Sequence, residues 1–224
     1  MAQFRFMKSE LLKRIITSIV IFPLLLLVLI SSKFYLIVFL SLFYLISFYE
    51  VYKNSNSLKF TIISNILLLI AFYSFYFLRG DSNRELIFLC WALFTTFLSD
   101  IGGYLFGKIF GGKKLTKISP NKTYSGAFGS LVLSLLSLPI LVFIQMNFLN
   151  EILINFLQLN FYFFTLLTSI IAQIGDIIVS YWKRRFNIKD TGKIFPGHGG
   201  VLDRIDGLIF VLIFLLILKI FITI

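Results

Sequence analysis

At 224 residues the chain has the length of one or two soluble domains, but 58% hydrophobic residues, 14% charged residues and a mean hydropathy of +0.94 exclude a water-soluble fold. Its ionisable side chains are lopsided, with 21 Lys and Arg against 10 Asp and Glu for a net charge of +11. The single cysteine, Cys90, lies in an apolar run, which excludes a disulfide framework and a cysteine-based metal site.

Arg5, Lys8, Lys13 and Arg14 precede the first apolar stretch. No small-residue cleavage site follows it and apolar segments continue to the C-terminus, so it is read as a retained first span and not as a signal peptide. Seven segments are long enough to cross about 30 Å of hydrocarbon. They are residues 11–30, 34–51, 60–78, 86–106, 126–146, 152–179 and 205–224. The pattern predicts an all-α, polytopic integral membrane protein of about seven transmembrane helices. The sixth segment is long enough to tilt, break or run on into water.

Orientation follows from charge, because short loops rich in Lys and Arg stay cytoplasmic. With the N-terminus inside, segments 1–14, 52–59, 107–125 and 180–204 face the cytoplasm and carry 17 of the 21 Lys and Arg. Residues 1–98 read as scaffold spans of Leu, Ile, Phe and Tyr with almost no acid inside them. Residues 99–224 read as the catalytic region, with two basic cytoplasmic segments at 107–125 and 180–204. A short chain with no targeting extension fits a bacterial inner membrane.

Two constellations in the second half could carry chemistry. The first joins Ser99, Asp100, Gly102, Gly103, Gly107 and Lys108 to Gly111, Gly112, Lys113, Lys114, Lys117 and the run Ile118-Ser119-Pro120-Asn121-Lys122-Thr123. Asp100 lies inside an apolar span, where a carboxylate requires a cation. Gly103 and Gly107 share a helix face, which fits close helix packing; the Gly and Lys mix also fits headgroup or phosphate binding. No Walker spacing is present, so a P-loop is excluded.

The second runs from Gly175 and Asp176 through Ser180, Lys183, Arg184 and Arg185 to Lys189 and Asp190. It continues into Pro196-Gly197-His198-Gly199-Gly200 and ends in Asp203-Arg204-Ile205-Asp206. Helical spacing sets Asp176 and Ser180 on one stripe, with Lys183 and Arg184 continuing it one turn later. Asp203 and Asp206 share a face near the positive end of the last helix, as caps or as cation ligands. Mg²⁺ takes one or two carboxylates plus substrate phosphates, so acids beside a basic basin fit phosphoryl or nucleotidyl transfer. His198 reads either as a hydrogen-bonded loop residue or as a donor to a phosphate oxygen. No base is required if the nucleophile is itself a phosphate.

The segment 180–206 resembles the signature of the phosphatidate cytidylyltransferases, the CDP-diacylglycerol synthases. Its elements are Ser180, Lys183-Arg184, Lys189-Asp190, Pro196-Gly197-His198-Gly199-Gly200 and Asp203-Arg204-Ile205-Asp206; the block from Ser99 to Thr123 resembles the family's other conserved region. The resemblance implies that the phosphate of phosphatidate attacks the α-phosphorus of CTP, releasing pyrophosphate and forming CDP-diacylglycerol. It implies Asp176 and Asp203 as carboxylates for Mg²⁺ and leaves a second cation open. It further implies Lys122, Lys183, Arg184, Lys189 and Arg204 at phosphates, with Asp100, Asp190 and Asp206 as motif acids. Asp100, Lys122 and Ser180 are assigned to the bound nucleotide and ion, and the remaining motif residues, His198 included, to catalysis. The implied partners are CTP, phosphatidate, membrane lipids and a second copy in a homodimer, with no nucleic acid. Two departures stand out: Val179 replaces a Glu common in relatives, and the chain is shorter than many of them.

Two other classes compete. A transporter predicts acids near the bilayer midplane on several spans. A CTP-dependent kinase of lipid alcohols predicts a base that activates a hydroxyl.

Overall fold

A computed structural model describes residues 23–116, 118–119, 122–195 and 199–221, so most of the first expected span and the end of the last lie outside the described residues. The described chain is built of helices, as expected. Residues 23–30 are helical, followed by α1 (Lys33–Asn54), α2 (Leu58–Arg79) and α3 (Asn83–Phe110). Next come α4 (Tyr124–Ser134), α5 (Ser137–Ile144) with a π turn at Gln145–Leu149, then α6 (Leu159–Arg185) and α7 (Leu202–Phe221).

Local signals set these ends. Ser82 and Glu85 form a reciprocal capping box at the start of α3, and Gly111, at φ 58°, ends that helix. Thr123 caps α4 by accepting the Gly126 amide at 3.1 Å. The expected fifth span is not one straight helix. Pro139 has no N–H for the Leu135 carbonyl, and the chain turns at residues 135–136 between α4 and α5.

The sixth helix begins at Leu159, seven residues later than expected. The preceding loop is held by a side chain acting as a backbone partner: Gln145 accepts the Ile154 amide and donates to the Ile154 carbonyl, both at 3.0 Å. That pairing lets Phe156 bury completely against Trp91 and Phe161. The 27 residues of α6 extend about 40 Å, so its last turn, with Lys183, Arg184 and Arg185, passes beyond a hydrocarbon core.

Five of the described helical runs are long and apolar enough to cross a membrane: Lys33–Asn54, Leu58–Arg79, Asn83–Phe110, Tyr124–Leu149 and Leu159–Arg185. α7 has 20 residues but carries Asp203, Arg204, Asp206 and Lys219 near its ends. Large apolar side chains cover the outside, among them Phe34, Leu58, Ile109, Phe148 and Leu159. An apolar exterior over several spans makes this a multi-pass membrane protein.

Inside, helices meet through small residues and paired hydroxyls. α3 and α4 touch backbone to backbone: a Cβ on Gly126 would lie 2.7 Å from the Gly103 carbonyl oxygen, and one on Gly103 would lie 2.8 Å from Ser130 Oγ. Gly102 and Gly129 oppose each other in the same seam. The packing role expected of Gly103 and Gly107 is therefore shared with Gly102, Gly126 and Gly129. Ser99 pairs with Ser169 at 2.8 Å, Thr95 with Ser137 at 2.9 Å, and Trp91 Nε1 donates to Thr165 at 3.0 Å. Such pairs satisfy groups that lipid would leave bare.

Replacing Gly129 by Val forces its side chain into Phe106 and the Gly102 carbonyl. The cost is at least the ~1–3 kcal/mol typical of overpacking, read as a lower melting temperature in detergent. Ile109→Val, at a position 70% exposed, leaves that temperature unchanged.

Candidate active site

The close α6–α7 crossing brings the motif acids together. Gly207 packs on Ala172, where an added Cβ would lie 2.8 Å from the Ala172 carbonyl oxygen, and Gly175 packs against Phe210. Asp176 on α6 and Asp203 and Asp206 on α7 sit just beyond these contacts along their helices. Asp100 projects from α3, and the charges of Asp100, Asp176 and Asp206 act on one another. Lys122 and Arg204 lie in electrostatic range of Asp100, and Lys183 in that of Asp206.

Asp176 is held on both oxygens. Ser180 donates to Oδ1 at 3.3 Å, the i, i+4 contact expected from spacing, and the Lys122 ammonium stands 2.5 Å from Oδ2. Lys122 arrives on a loop that folds back on itself, with the Leu115 amide bonding the Lys122 carbonyl at 2.8 Å and Lys114 bridged to Thr123. The first constellation thereby meets the second.

Asp203 is the more deeply enclosed, its side chain 3% exposed. Lys183 Nζ lies 2.9 Å from Oδ1 and 3.8 Å from Asp206 Oδ2. Asp203 Oδ2 accepts from the Thr191 amide at 2.8 Å and the Gly200 amide at 2.9 Å, and the Thr191 hydroxyl oxygen lies 3.1 Å from it. The loop must come close to do this. Gly199 has φ +85°, and a Cβ there would lie 2.5 Å from Asp203 Oδ2. The paired bridge between Phe195 and Gly199 closes the loop at 2.9 and 3.1 Å. His198 belongs to that loop and lies outside the described residues.

Not every expected residue joins the cluster. Arg184 does not continue the stripe of Asp176, Ser180 and Lys183; it is exposed and donates to the Ile188 carbonyl at 3.1 Å. The reason is angular: seven residues return a helix to nearly the same face, whereas the eighth is turned about 80° from it. Lys189 and Asp190 are exposed, and Arg204, though exposed as well, stays in electrostatic range of Asp100. Val179 is buried in an apolar cluster with Val51, Trp182 and Leu202.

One contributor was passed over in the sequence. Glu50, on α1, is 3% exposed. It accepts from the Thr191 hydroxyl at 2.7 Å, the Val201 amide at 2.9 Å and the Leu202 amide at 3.0 Å. The available signal was a single acid in the apolar run 34–51.

Among the described residues no three acids, histidines or cysteines converge on one point that could hold a metal. The donor set nevertheless fits a hard divalent cation, which takes one or two carboxylates and draws its other ligands from phosphates and water. Asp176 and Asp203 each have one oxygen fixed by donors of the fold and the other turned to a lysine ammonium. Each ammonium stands where a carboxylate would present itself to a metal ion.

Lys183→Met leaves Asp203 enclosed without its counter-charge. The expected cost is about 3–5 kcal/mol of stability, measured as a shift in thermal unfolding in detergent. Arg184→Met, at an exposed site, stays within about 0.5 kcal/mol.

The profile of the Cytidylyltransferase family matches residues 53–221. Phosphatidate cytidylyltransferase of Staphylococcus haemolyticus is 40% identical over 162 residues, 72% of this chain and 58% of that protein. The Staphylococcus aureus protein of the same name is 41% identical over 163 residues, with the same coverage. That of Staphylococcus saprophyticus is 37% identical over 171 residues, 75% of this chain and 63% of the relative. The chain therefore spans less than two thirds of the length of these relatives. With the match extending over most of its residues and enclosing Asp100, Lys122, Asp176, Lys183, Asp203 and Asp206, the chain belongs to the cytidylyltransferase family.

Proposed function

We propose that the protein is a phosphatidate cytidylyltransferase, joining CTP and phosphatidate to give CDP-diacylglycerol and pyrophosphate. The observation that carries this reading is the pair Asp176 and Asp203. Each is anchored by one oxygen and neutralised by a lysine at the other, and both sit beside further acids at the basic end of the spans. In the same reading the chain crosses a bacterial inner membrane about seven times with its N-terminus and active site cytoplasmic, and it works as a homodimer. The charge count supports that orientation, since 17 of 21 Lys and Arg lie in the segments it places inside.

Asp176 and Asp203 would hold Mg²⁺, and Asp100 and Asp206 add negative charge around them. When bound, the ion supplies charge neutralisation at the polyphosphate and orients the phosphorus under attack. The chain's own residues do the rest. Lys122 and Lys183, already close to the carboxylates, lie within reach of phosphate oxygens beside them. Arg204, Arg184 and Lys189 are exposed on the same basic face and hold the pyrophosphate and the lipid headgroup by charge and hydrogen bonds. Ser180 fixes Asp176, and His198 donates to a phosphate oxygen. In the step itself an oxygen of the lipid phosphate forms a bond to the α-phosphorus as the bond to the bridging oxygen of pyrophosphate breaks. The nucleophile is already anionic, so no side chain has to remove a proton, and positioning with electrostatic neutralisation carries the catalysis.

Membranes expressing the chain should incorporate label from CTP into lipid when phosphatidate is supplied, but not when polyprenol or phytol replaces it. Chelation with EDTA should abolish incorporation and excess Mg²⁺ restore it. Asp176→Asn should abolish turnover at unchanged expression and melting temperature. Transfer of the γ-phosphate of CTP to a lipid alcohol, followed with label at that phosphate, would instead assign a kinase, and no CTP-dependent product at all would overturn the reading.

A further inference from the structure

Glu50 lies before the first residue matched by the family profile, in a segment whose sequence reads as scaffold. Its carboxylate nevertheless sits at the centre of the motif loop. Val201 gives it the amide just before α7, Leu202 the first amide of that helix, and Thr191 a hydroxyl. One turn along α1, Asn54 Nδ2 donates to the Thr191 carbonyl at 2.7 Å and to the Glu50 carbonyl at 2.7 Å. The loop glycines close on the same group: a Cβ on Gly192 would lie 2.7 Å from Glu50 Oε1, and one on Gly200 would collide with it.

Helix α7 is thus capped in trans. The amide of its first residue, the amide just before it and the positive end of its dipole are met by an acid from α1. The same hydroxyl that donates to Glu50 lies 3.1 Å from Asp203 Oδ2, and Asp203 Oδ1 meets Lys183. An unbroken chain of polar contacts therefore runs from α1 through Thr191 to Asp203 and on to α6. Glu50 is enclosed by the loop and is not open to a substrate, so its action passes through the residues it holds.

We propose that Glu50 is a positioning residue for nucleotidyl transfer: it fixes Thr191, Gly192, Gly200 and the start of α7 so that Asp203 presents its lysine-paired oxygen, and Arg204 its guanidinium, in the working arrangement. This rests on the function proposed above, and the test separates the two. Glu50→Gln keeps the volume but sets an amide N–H against the donors of Thr191 or Leu202. In the purified full-length chain it should lower kcat by about 10- to 100-fold, as partners of ligand residues do, with KM for CTP little changed. Its melting temperature should stay near that of the wild type. Glu50→Asp should recover part of the loss.

Hydrogen exchange of the peptide containing Val201 and Leu202, read by mass spectrometry without substrates, should speed up in Glu50→Gln while peptides of α3 and α4 stay unchanged. Should Glu50→Gln not fold, Thr191→Val removes the hydroxyl between Glu50 and Asp203 while leaving the residue-191 amide on Asp203 and the Val201 and Leu202 amides on Glu50, and is expected to show the same fall in kcat. Unchanged kcat, unchanged exchange in that peptide, or a loss of activity that only follows a loss of folded protein overturns the proposal. A wild-type chain that makes no CDP-lipid overturns the function reading, and the exchange measurement then decides on Glu50 by itself.

Discussion

A carboxylate withdrawn from water must be matched atom by atom, and in this protein that requirement falls hardest on Asp203. An unpaired charge there would cost several kcal/mol, so an ammonium from α6 and two amides from the loop before α7 donate to it, with the Thr191 hydroxyl alongside. Much of the surrounding architecture follows. The loop can close only because Gly199 and Gly200 bring no side chains into the space of the carboxylates. Lys183 can reach only because α6 continues to Arg185. The same arrangement leaves Asp203 with one oxygen directed at the Lys183 ammonium and the other held by loop amides.

The helix crossings serve the same end. Between helices in lipid there is little hydrophobic gain, since tails and side chains are equally apolar, so close approach must come from small residues and hydrogen-bonded pairs. Gly207 on Ala172 and Gly175 on Phe210 bring α6 and α7 together one turn from Asp176 and Asp206. The glycine seam of α3 and α4 does the equivalent for Asp100 and for Thr123, whose neighbour Lys122 reaches Asp176. The Ser99–Ser169 pair fixes α3 to α6 at the residue beside Asp100. Packing and chemistry are therefore specified by adjacent residues on the same helices, and a change in one seam moves a charge in the site.

What could be read from the sequence was what helical periodicity encodes. Asp176 with Ser180, and Asp203 with Asp206, are local spacings, and both appear as shared contacts. The spans were visible as apolar runs, and the all-helical, multi-pass class with them. Features that depend on distant partners were not. Residues 152–158 are as apolar as a span, yet they form a loop because Gln145 supplies the hydrogen bonds a helix would have supplied. Arg184 has the same chemistry as Lys183 and one residue of difference in register, which is enough to turn it outward. Glu50 meets its partners across about two thirds of the chain, and no periodicity connects them. The one sign was its isolation: an acid kept among Leu, Phe and Tyr has to be matched somewhere.

The choice of lysine at the two anchored carboxylates carries a consequence for how the site could work. Arginine would bind a carboxylate through a rigid fork with two donors in fixed geometry, whereas an ammonium on a four-carbon stem is a point charge with three rotatable donors. Under the proposed function, Lys122 and Lys183 would exchange a carboxylate oxygen for a phosphate oxygen, leaving Ser180 and the Thr191 and Gly200 amides in place on the acids. The acids are then held by the fold whether or not a cation is bound, and the lysines are the part that responds. In a protein with a net charge of +11, a set of paired acids beneath a basic surface stays folded without ligand and still offers positive charge to a polyanion when one arrives. The pairing that solves the burial problem thus also keeps two lysine charges beside the acids.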